Sequence, residues 1–289
     1  MLIEGFLLSI PGNEMSLLKR FALTVLLSTS LLVFVETAWS QPLQEHTWKE
    51  VPAIGALFTQ SAVQGTFVVL DSSKGTLIGA NYQRAATRFS PASTFKIPNA
   101  LIGLSVGAVK DVNELIPYRS NDPPFNPAWV RDMGLRDAIL LSNVPIFQEL
   151  ARRVGLSRMQ SALIQLQYGS IAIGSDVTRF WLDGPLMISA LEQVSFLNRL
   201  AQGTLPLSDS VQQSVRDITL VEKRASYLLH AKTGWQHAPN QGIGWWVGWV
   251  KRADAVYPFA LNLDIRTADD AALRQKIGLA ALRMLQLID

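Results

Sequence analysis

Two side chains with complementary chemistry lie three residues apart, where an apolar helical pattern begins. They are Ser93 and Lys96, and the pattern continues to about Ser105 before Gly107 ends it. Positions i and i+3 lie on one face of a helix, about 5–6 Å apart at Cβ. A lysine at that distance that had lost its proton could take one from the serine hydroxyl, which is the requirement for an activated nucleophile.

A Ser-x-x-Lys pattern is weak on its own, because Ser16-Leu17-Leu18-Lys19 also matches it. Ser93 differs in its position at a helix start, where unpaired backbone N–H groups and the helix dipole favour an oxyanion. The apolar neighbours Phe95, Ile97 and Leu101 indicate a dry setting. Desolvation lowers the pKa of a lysine, because it disfavours the charged form.

Two further motifs offer partners for this pair. Lys232-Thr233-Gly234 ends a strand-like segment. It is either an ordinary strand end or an edge strand at which Lys232 and Thr233 meet an anion while Gly234 allows close approach to the backbone. Ser142-Asn143-Val144 lies between two predicted helices. It is either a helix junction or, beside the other motifs, a source of a hydroxyl for proton transfer.

In this order and spacing the motifs resemble the penicillin-recognising serine enzymes, and among them the class D (oxacillinase-type) β-lactamases. The second motif has the Ser-x-Val form of class D. The resemblance covers about residues 60 to 280, and further matching stretches are Pro91–Pro98, Tyr168-Gly169, Phe180-Trp181-Leu182, Lys232-Thr233-Gly234-Trp235 and Gly244-Trp245-Trp246-Val247-Gly248-Trp249.

The resemblance implies a role for each residue at the reacting centre. Ser93 would be the nucleophile that opens a β-lactam ring to form an acyl-enzyme. Lys96 would react with carbon dioxide to become a carbamate (N6-carboxylysine), which acts as general base. The indole N–H of Trp181 would hold the carbamate, with Val144 and Leu182 as its apolar surround. No cofactor is implied beyond CO2 or bicarbonate, and no metal.

The resemblance also implies how the substrate is held. Ser142 would pass a proton to the leaving nitrogen, and the backbone N–H groups of Ser93 and Trp235 would form an oxyanion hole. The substrate carboxylate would be bound by Lys232, Thr233, Gly234 and Arg274. The other interpretation of Arg274 is a solvent-facing arginine on the last helix.

One motif departs from the family pattern. The family has Tyr-Gly-Asn where this chain has Tyr168-Gly169-Ser170. A serine cannot present the paired donor and acceptor of a carboxamide, which puts loop placement and turnover rate in doubt. Tyr168 is a candidate pocket residue, whereas Trp245, Trp246 and Trp249 are assigned to structure.

Two alternatives to a hydrolase share the same acylation chemistry. A penicillin-binding D,D-peptidase is acylated but does not need fast deacylation. A β-lactam sensor domain is acylated at the same serine and stays acylated. Turnover of substrate distinguishes the hydrolase from both.

The elements that must position these residues follow from hydrophobic periodicity. The pattern predicts an α+β fold, in which an antiparallel sheet assembled from both chain ends is flanked by helices and an inserted helical lobe. Strands are predicted at Gly65–Leu70, Thr76–Asn81, Ser226–Thr233, Gly242–Arg252 and Val256–Ile265. Helices are predicted at Thr47–Phe58, Ser93–Ser105, Leu135–Leu141, Pro145–Val154, Ser157–Gln167, Ser189–Gln202, Ser208–Ile218 and Thr267–Leu287.

The first 40 residues predict a secretory signal peptide. Lys19 and Arg20 precede an apolar stretch, and Ala38-Trp39-Ser40 supplies a cleavage site. The alternative is an uncleaved membrane anchor, and Met15 is a possible true start. We expect export to the periplasm of a Gram-negative bacterium, with no stable membrane anchor after cleavage.

Residues 41–289 are predicted to form one catalytic domain, as a monomer or homodimer. Without residues 1–40 the chain has 24 basic and 20 acidic residues, a net charge of +4. These charges are dispersed, which argues against nucleic acid as a partner and leaves small β-lactams as the implied ligands. The chain has no cysteine, and its three histidines lack the spacing of a zinc site.

Overall fold

The computed structural model describes residues 46–120, 122–238 and 241–289. The predicted signal peptide lies outside the described residues. In chain order the strands are β1 (Thr47–Glu50), β2 (Gly65–Asp71), β3 (Thr76–Ala80), β4 (Leu220–Lys223), β5 (Leu228–Gln236), β6 (Gly242–Arg252) and β7 (Ala255–Ile265). They form one sheet in the order β1-β3-β2-β7-β6-β5-β4. Strands from both parts of the chain meet where β2 pairs with β7, which confirms the predicted α+β architecture.

Helices cover both faces of this sheet and form a lobe at one side. They are α1 (Pro52–Gln60), α2 (Tyr82–Ala86), α3 (Lys96–Ser105), α4 (Leu135–Leu140), α5 (Val144–Val154), α6 (Leu156–Leu166), α7 (Ala190–Gln202), α8 (Asp209–Thr219) and α9 (Asp270–Met284). Short 3-10 helices occur at Ala92–Phe95 and Pro127–Trp129. Among the described residues, no helix is both long enough and apolar enough to cross a membrane.

The sheet divides the apolar interior into two clusters. On one face, Trp245 and Trp249 pack with the helical lobe. On the other, Trp246 and Phe259 pack with residues of α1 and α9. Successive side chains of a strand point to opposite faces, so the tryptophans of β6 serve both cores, in agreement with their assignment to structure.

Several local predictions were wrong at the edges of elements. Residues Thr47–Glu50 form a strand, because they pair in parallel with β3 at the sheet edge, so the sheet is not wholly antiparallel. The helix starts only at Pro52, since proline suits the first turn. Strand β4 and the short helix α2 were not predicted. Strand β4 forms by pairing with β5, whereas α2 is a short helix capped by the Asn81 side chain, which accepts the Arg84 N–H.

The last helix is capped differently from its sequence pattern. Thr267 and Asp270 have the spacing of a capping box, but α9 starts at Asp270 and the Thr267 hydroxyl is not its cap. The Asp270 carboxylate accepts the N–H groups of Arg266 at 2.9 Å and Thr267 at 3.2 Å. By contrast, Ser189 and Glu192, which have the same spacing, form a capping box at the start of α7.

Candidate active site

The nucleophile candidate lies on a tight turn that leads into α3. Ser93 belongs to the 3-10 helix Ala92–Phe95, and the α-helix begins only at Lys96. Ala92 has φ +48°, in the left-handed region that costs a non-glycine residue free energy. The Lys96 Nζ donates to the Ser93 Oγ at 2.7 Å. The turn therefore brings hydroxyl and amine together, as the i, i+3 spacing predicted.

The Lys96 amine is fully removed from solvent. Its exposure is 0%, and this burial, aided by the charge of Lys232, holds its pKa well below the usual value for lysine. The Phe147 ring lies 5.6 Å from the Nζ. Within the described chain no carboxylate is paired with this amine. The neutral form is therefore favoured, and a neutral amine can act as a base or a nucleophile.

A second buried polar group lies in the same apolar region. Trp181 has 0% exposure and stacks on Phe95, with ring centroids 5.2 Å apart. Its indole Nε1 has no hydrogen-bond partner among the described residues. A buried N–H without a partner costs free energy, so this indole offers a donor to an acceptor that the described residues do not themselves supply.

The second motif lies on the loop between α4 and α5. Asn143 caps α5 through its side-chain oxygen, which accepts the Ile146 N–H at 3.2 Å, and Pro145 occupies the first turn. This cap leaves Ser142 outside both helices, with φ +55°. The hydroxyl of Ser142 accepts a hydrogen bond from the Lys232 Nζ at 2.9 Å. Two motifs 90 residues apart in the chain are thus in direct contact.

Strand β5 presents the third motif next to the nucleophile turn. A Cβ on Gly234 would lie 3.0 Å from the Pro91 carbonyl oxygen and 3.1 Å from the Thr94 Cγ2. A side chain there would crowd the turn, so glycine permits the close approach. Lys232 is almost fully buried, which lowers its pKa to about 7, and Arg274 adds to the shift.

Arg274 projects from α9 towards the same strand. Its Nη1 donates to the Gly234 carbonyl oxygen at 2.6 Å and its Nε to the Ala271 carbonyl oxygen at 2.6 Å. Burial lowers its pKa to about 10. These contacts favour a cavity-facing Arg274 over the alternative interpretation, a solvent-facing arginine.

A cavity of about 450 Å³ joins these elements. Eight of the predicted site residues line it: Ser93, Ser142, Val144, Leu182, Thr233, Gly234, Trp235 and Arg274. Lys96, Lys232 and Trp181 are not part of the wall. The two lysines reach the cavity through Ser93 and Ser142, to which they are hydrogen-bonded.

Sequence reasoning missed an aromatic group at the cavity entrance. Trp235 and His237 stack with centroids 3.8 Å apart, and the Phe125 ring meets both edge-on, at 6.3 Å and 5.9 Å. Trp129 packs beside Phe125. The available signal was the presence of Phe125 and Trp129 in the proline-rich segment 111–129, which has no regular periodicity.

Tyr168 and Ser170 lie away from the cavity wall. Tyr168 is fully buried, and its ring packs edge-on against Phe95 and Phe196. Ser170 forms a two-point contact with Met187, donating its N–H to the carbonyl at 2.8 Å and accepting the Met187 N–H on its hydroxyl at 3.0 Å. The side chain of Ser170 thus anchors this turn through its hydroxyl oxygen alone, as an acceptor, and the second contact comes from the Ser170 backbone.

The described residues contain no group of three or more histidine, cysteine or acidic side chains that could hold a metal ion. The groups that surround the cavity and can react are hydroxyls, amines and backbone N–H groups.

Comparisons with known proteins agree with this geometry. Residues 65–283 match the penicillin binding protein transpeptidase domain. Beta-lactamase OXA-5 of Pseudomonas aeruginosa is 39% identical over 252 residues, 86% of this chain and 92% of that protein. Beta-lactamase OXA-48 of Klebsiella pneumoniae is 38% identical over 262 residues, 91% of this chain and 98% of that protein.

A solved structure extends the agreement to the fold. The class D β-lactamase FUS-1 (OXA-85) of Fusobacterium nucleatum subsp. polymorphum has a TM-score of 0.81 and 42% sequence identity, over 83% of this chain and 100% of that one. With motifs, cavity and fold in agreement, the chain belongs to the class D β-lactamases, within the family of penicillin-recognising serine enzymes.

Proposed function

We propose that this protein hydrolyses the amide bond of β-lactam antibiotics through an acyl-enzyme on Ser93 and thereby confers resistance. The observation that carries the proposal is the desolvated Lys96 amine, 2.7 Å from the Ser93 Oγ at the edge of the cavity. Relatives that carry the name β-lactamase match nearly the whole chain, which supports the same substrate class.

Acylation transfers the lactam carbonyl carbon from nitrogen to the Ser93 oxygen. The general base at Lys96 takes the hydroxyl proton, the Ser93 Oγ bonds to the carbonyl carbon, and the C–N bond breaks. The charge that develops on the carbonyl oxygen is stabilised by the backbone N–H groups of Ser93 and Trp235. Trp235 supports this role because β5 runs directly against the nucleophile turn.

The leaving nitrogen needs a proton, and Ser142 is the donor that fits. A hydroxyl has one donor and two acceptor positions. The Ser142 oxygen already accepts from the Lys232 Nζ, so its own hydrogen is available to the nitrogen. Lys232, with a pKa of about 7, can in turn restore that proton.

The substrate carboxylate is proposed to bind at the cationic end of the cavity. Thr233, Gly234 and Arg274 line it there, and Lys232 adjoins it. Arg274 is held by the Gly234 carbonyl through one nitrogen and by Ala271 through another, so its remaining N–H groups are pre-oriented. An arginine fixed in this way offers directional hydrogen bonds to a carboxylate.

Residues around Lys96 fit a carbamate on its amine. The amine is buried and its pKa is lowered, which favours the neutral form that addition of CO2 requires, and the Trp181 indole N–H has no partner in the described chain. Val144 and Leu182 line the cavity nearby and would keep water scarce. When formed, the carbamate supplies a general base for both acylation and deacylation.

The test is turnover by the purified chain without residues 1–40. We expect steady hydrolysis of a chromogenic cephalosporin, with a rate that rises when bicarbonate is added. A stoichiometric burst without turnover would contradict the hydrolase and favour the D,D-peptidase or the sensor. Lys96→Ala is expected either to trap the acyl-enzyme or to fail to acylate. A wild-type rate in that variant would show that the base lies elsewhere.

We further propose that residues 1–40 are a cleaved signal peptide and that the catalytic domain acts in the periplasm, as a monomer or homodimer. The basic-then-apolar order of the segment supports this. N-terminal sequencing of the protein recovered from the periplasm is expected to begin at Gln41. Recovery of the intact chain from the membrane would contradict the cleavage.

A further inference from the structure

A buried hydrogen-bonded chain connects the nucleophile turn to α7. Gln193, 1% exposed, donates from its Nε2 to the Thr94 Oγ1 at 2.9 Å. The Thr94 hydroxyl donates in turn to the Pro91 carbonyl oxygen at 2.7 Å, and the Thr94 N–H reaches the same oxygen at 3.2 Å. The side chain and the backbone of Thr94 thus both donate hydrogen bonds to the carbonyl of Pro91, which precedes Ala92.

These hydrogen bonds surround a residue whose backbone is strained. Ala92, between Pro91 and Ser93, has φ +48°. Left-handed backbone costs a non-glycine residue on the order of 1–3 kcal/mol and persists only where its surroundings over-determine it. Two constraints act on the Pro91 carbonyl. The first is the pair of hydrogen bonds from the Thr94 hydroxyl and N–H, which we call the Thr94 clamp, and the second is the close approach of Gly234.

Helix α7, which carries Gln193, is held in place at its first turn and along the sheet. Its first turn is closed by the capping box of Ser189 and Glu192, and Gln193 donates its backbone N–H to the Ser189 carbonyl at 2.9 Å. The helix packs across β2, β6 and β7 of the sheet. The contact from Gln193 therefore connects the nucleophile turn to a helix that packs on the central strands of the sheet.

We propose that Gln193 is a positioning residue for acylation, which acts through Thr94 to hold the turn and hence the direction of the Ser93 backbone N–H. This inference rests on the proposed serine acylation. Loss of the clamp lets Ala92 relax towards right-handed backbone, which turns that N–H away from the developing oxyanion. Oxyanion contacts act in the transition state, so the acylation rate constant falls while non-covalent binding is retained.

The expected fall in the acylation rate constant follows from the known effect of oxyanion-hole donors. Removal of one such donor lowers the rate about 10²- to 10³-fold. Misorientation of a donor that stays in place costs less, so we expect Gln193→Met to lower the acylation rate constant by about 10-fold. The dissociation constant of the non-covalent complex is expected to change less than about 2-fold, since the cavity wall is untouched.

The experiment is stopped-flow acylation by a chromogenic cephalosporin, with separate determination of the rate constant and the dissociation constant. The variants are Gln193→Met, Thr94→Val, their double combination, and Thr94→Ser, which keeps the hydroxyl. Because Gln193 acts through Thr94, the double variant should be no slower than Thr94→Val alone. Thr94→Ser should retain a rate within about 3-fold of wild type.

Gln212→Met is the matched control for loss of a buried amide. Gln212 is also fully buried, and its Nε2 donates to the carbonyls of Gly203, Leu205 and Leu207. This control is expected to lose thermal stability while keeping the wild-type acylation rate constant.

The outcomes separate this inference from the proposed function. If the wild type is not acylated at all, the proposed function fails. If the wild type is acylated and Gln193→Met matches it, or if the two substitutions lower the rate additively, the positioning role is refuted. Should Gln193→Met not fold, the difference between Thr94→Val and Thr94→Ser decides, and equal rates in those two variants would refute the clamp.

Discussion

Replacement of Trp181 by phenylalanine tests the role of its indole N–H most directly. The N–H is fully buried and has no acceptor among the described residues, while the ring stacks on Phe95. Trp181→Phe keeps an aromatic ring for that stacking and removes the donor. If the donor serves a carbamate on Lys96, its loss should weaken carbamate formation without abolishing acylation chemistry.

The magnitude follows from the charge of the acceptor. A hydrogen bond to a charged group contributes about 1.5–3 kcal/mol, and each 1.4 kcal/mol is a factor of ten. Trp181→Phe should therefore raise the bicarbonate concentration for half-maximal hydrolysis roughly 10- to 100-fold. The missing part of the ring also leaves a small void, so we expect a moderate fall in Tm.

The assay is the hydrolysis rate as a function of added bicarbonate, with ¹³C NMR of protein equilibrated in ¹³C-bicarbonate as a direct measure of the carbamate. Trp249→Phe is the matched control. Trp249 is also a buried tryptophan, but it stacks on His230 at 4.3 Å. The control should lose stability and keep the wild-type bicarbonate requirement. An unchanged bicarbonate requirement in Trp181→Phe would refute the reasoning.

Three further predictions follow from the buried charges and the loop anchor. Lys96→Met should abolish hydrolysis yet raise Tm by about 2–4 °C for each 1 kcal/mol gained, because a buried amine is replaced by an apolar chain; a fall in Tm by thermal denaturation would contradict this. Because burial lowers the pKa of Lys232 to about 7, its cationic form is lost as pH rises through 7, so KM for carboxylate-bearing substrates should rise from pH 6 to 8.5. Lys232→Arg, which stays charged, should give a flatter KM profile, and a flat wild-type profile would refute the assignment. Ser170→Ala removes the acceptor of the Met187 N–H and should cost about 1 kcal/mol in the free energy of unfolding, measured with denaturant, whereas an unchanged midpoint would show that the contact does not stabilise the turn.

Much of the local structure was predictable, because its causes are local. The Ser189–Glu192 capping box and Pro145 in the first turn of α5 follow from residues within four positions. Strand Gly242–Arg252 was predicted with the bounds that the structure has. The errors fall where distant contacts decide, as in Thr47–Glu50, which becomes a strand only because β3 offers a parallel partner.

The site residues show the same difference between what local sequence predicts and what distant contacts decide. Motif spacing identified Ser93, Lys96, Ser142 and Lys232 as partners, and family resemblance added Trp181 and Arg274. Neither motif spacing nor family resemblance revealed Gln193, which lies 99 positions from Thr94 and belongs to no motif. The aromatic group of Phe125, Trp235 and His237 was likewise hidden, because Phe125 comes from the segment before α4 whereas Trp235 and His237 come from the end of β5 and the residues after it.

The sequence by itself determined which groups are available: a hydroxyl and an amine at i, i+3, a Ser-x-Val loop and a Lys-Thr-Gly strand end. Only the tertiary structure decided their protonation states and directions. The pKa of Lys96 is lowered because chain segments far from it exclude water and because Lys232 lies near it, and the pKa of Lys232 is lowered by burial and by Arg274 from the last helix. Desolvation depends on everything packed around a group, whereas a sequence pattern registers only its neighbours along the chain.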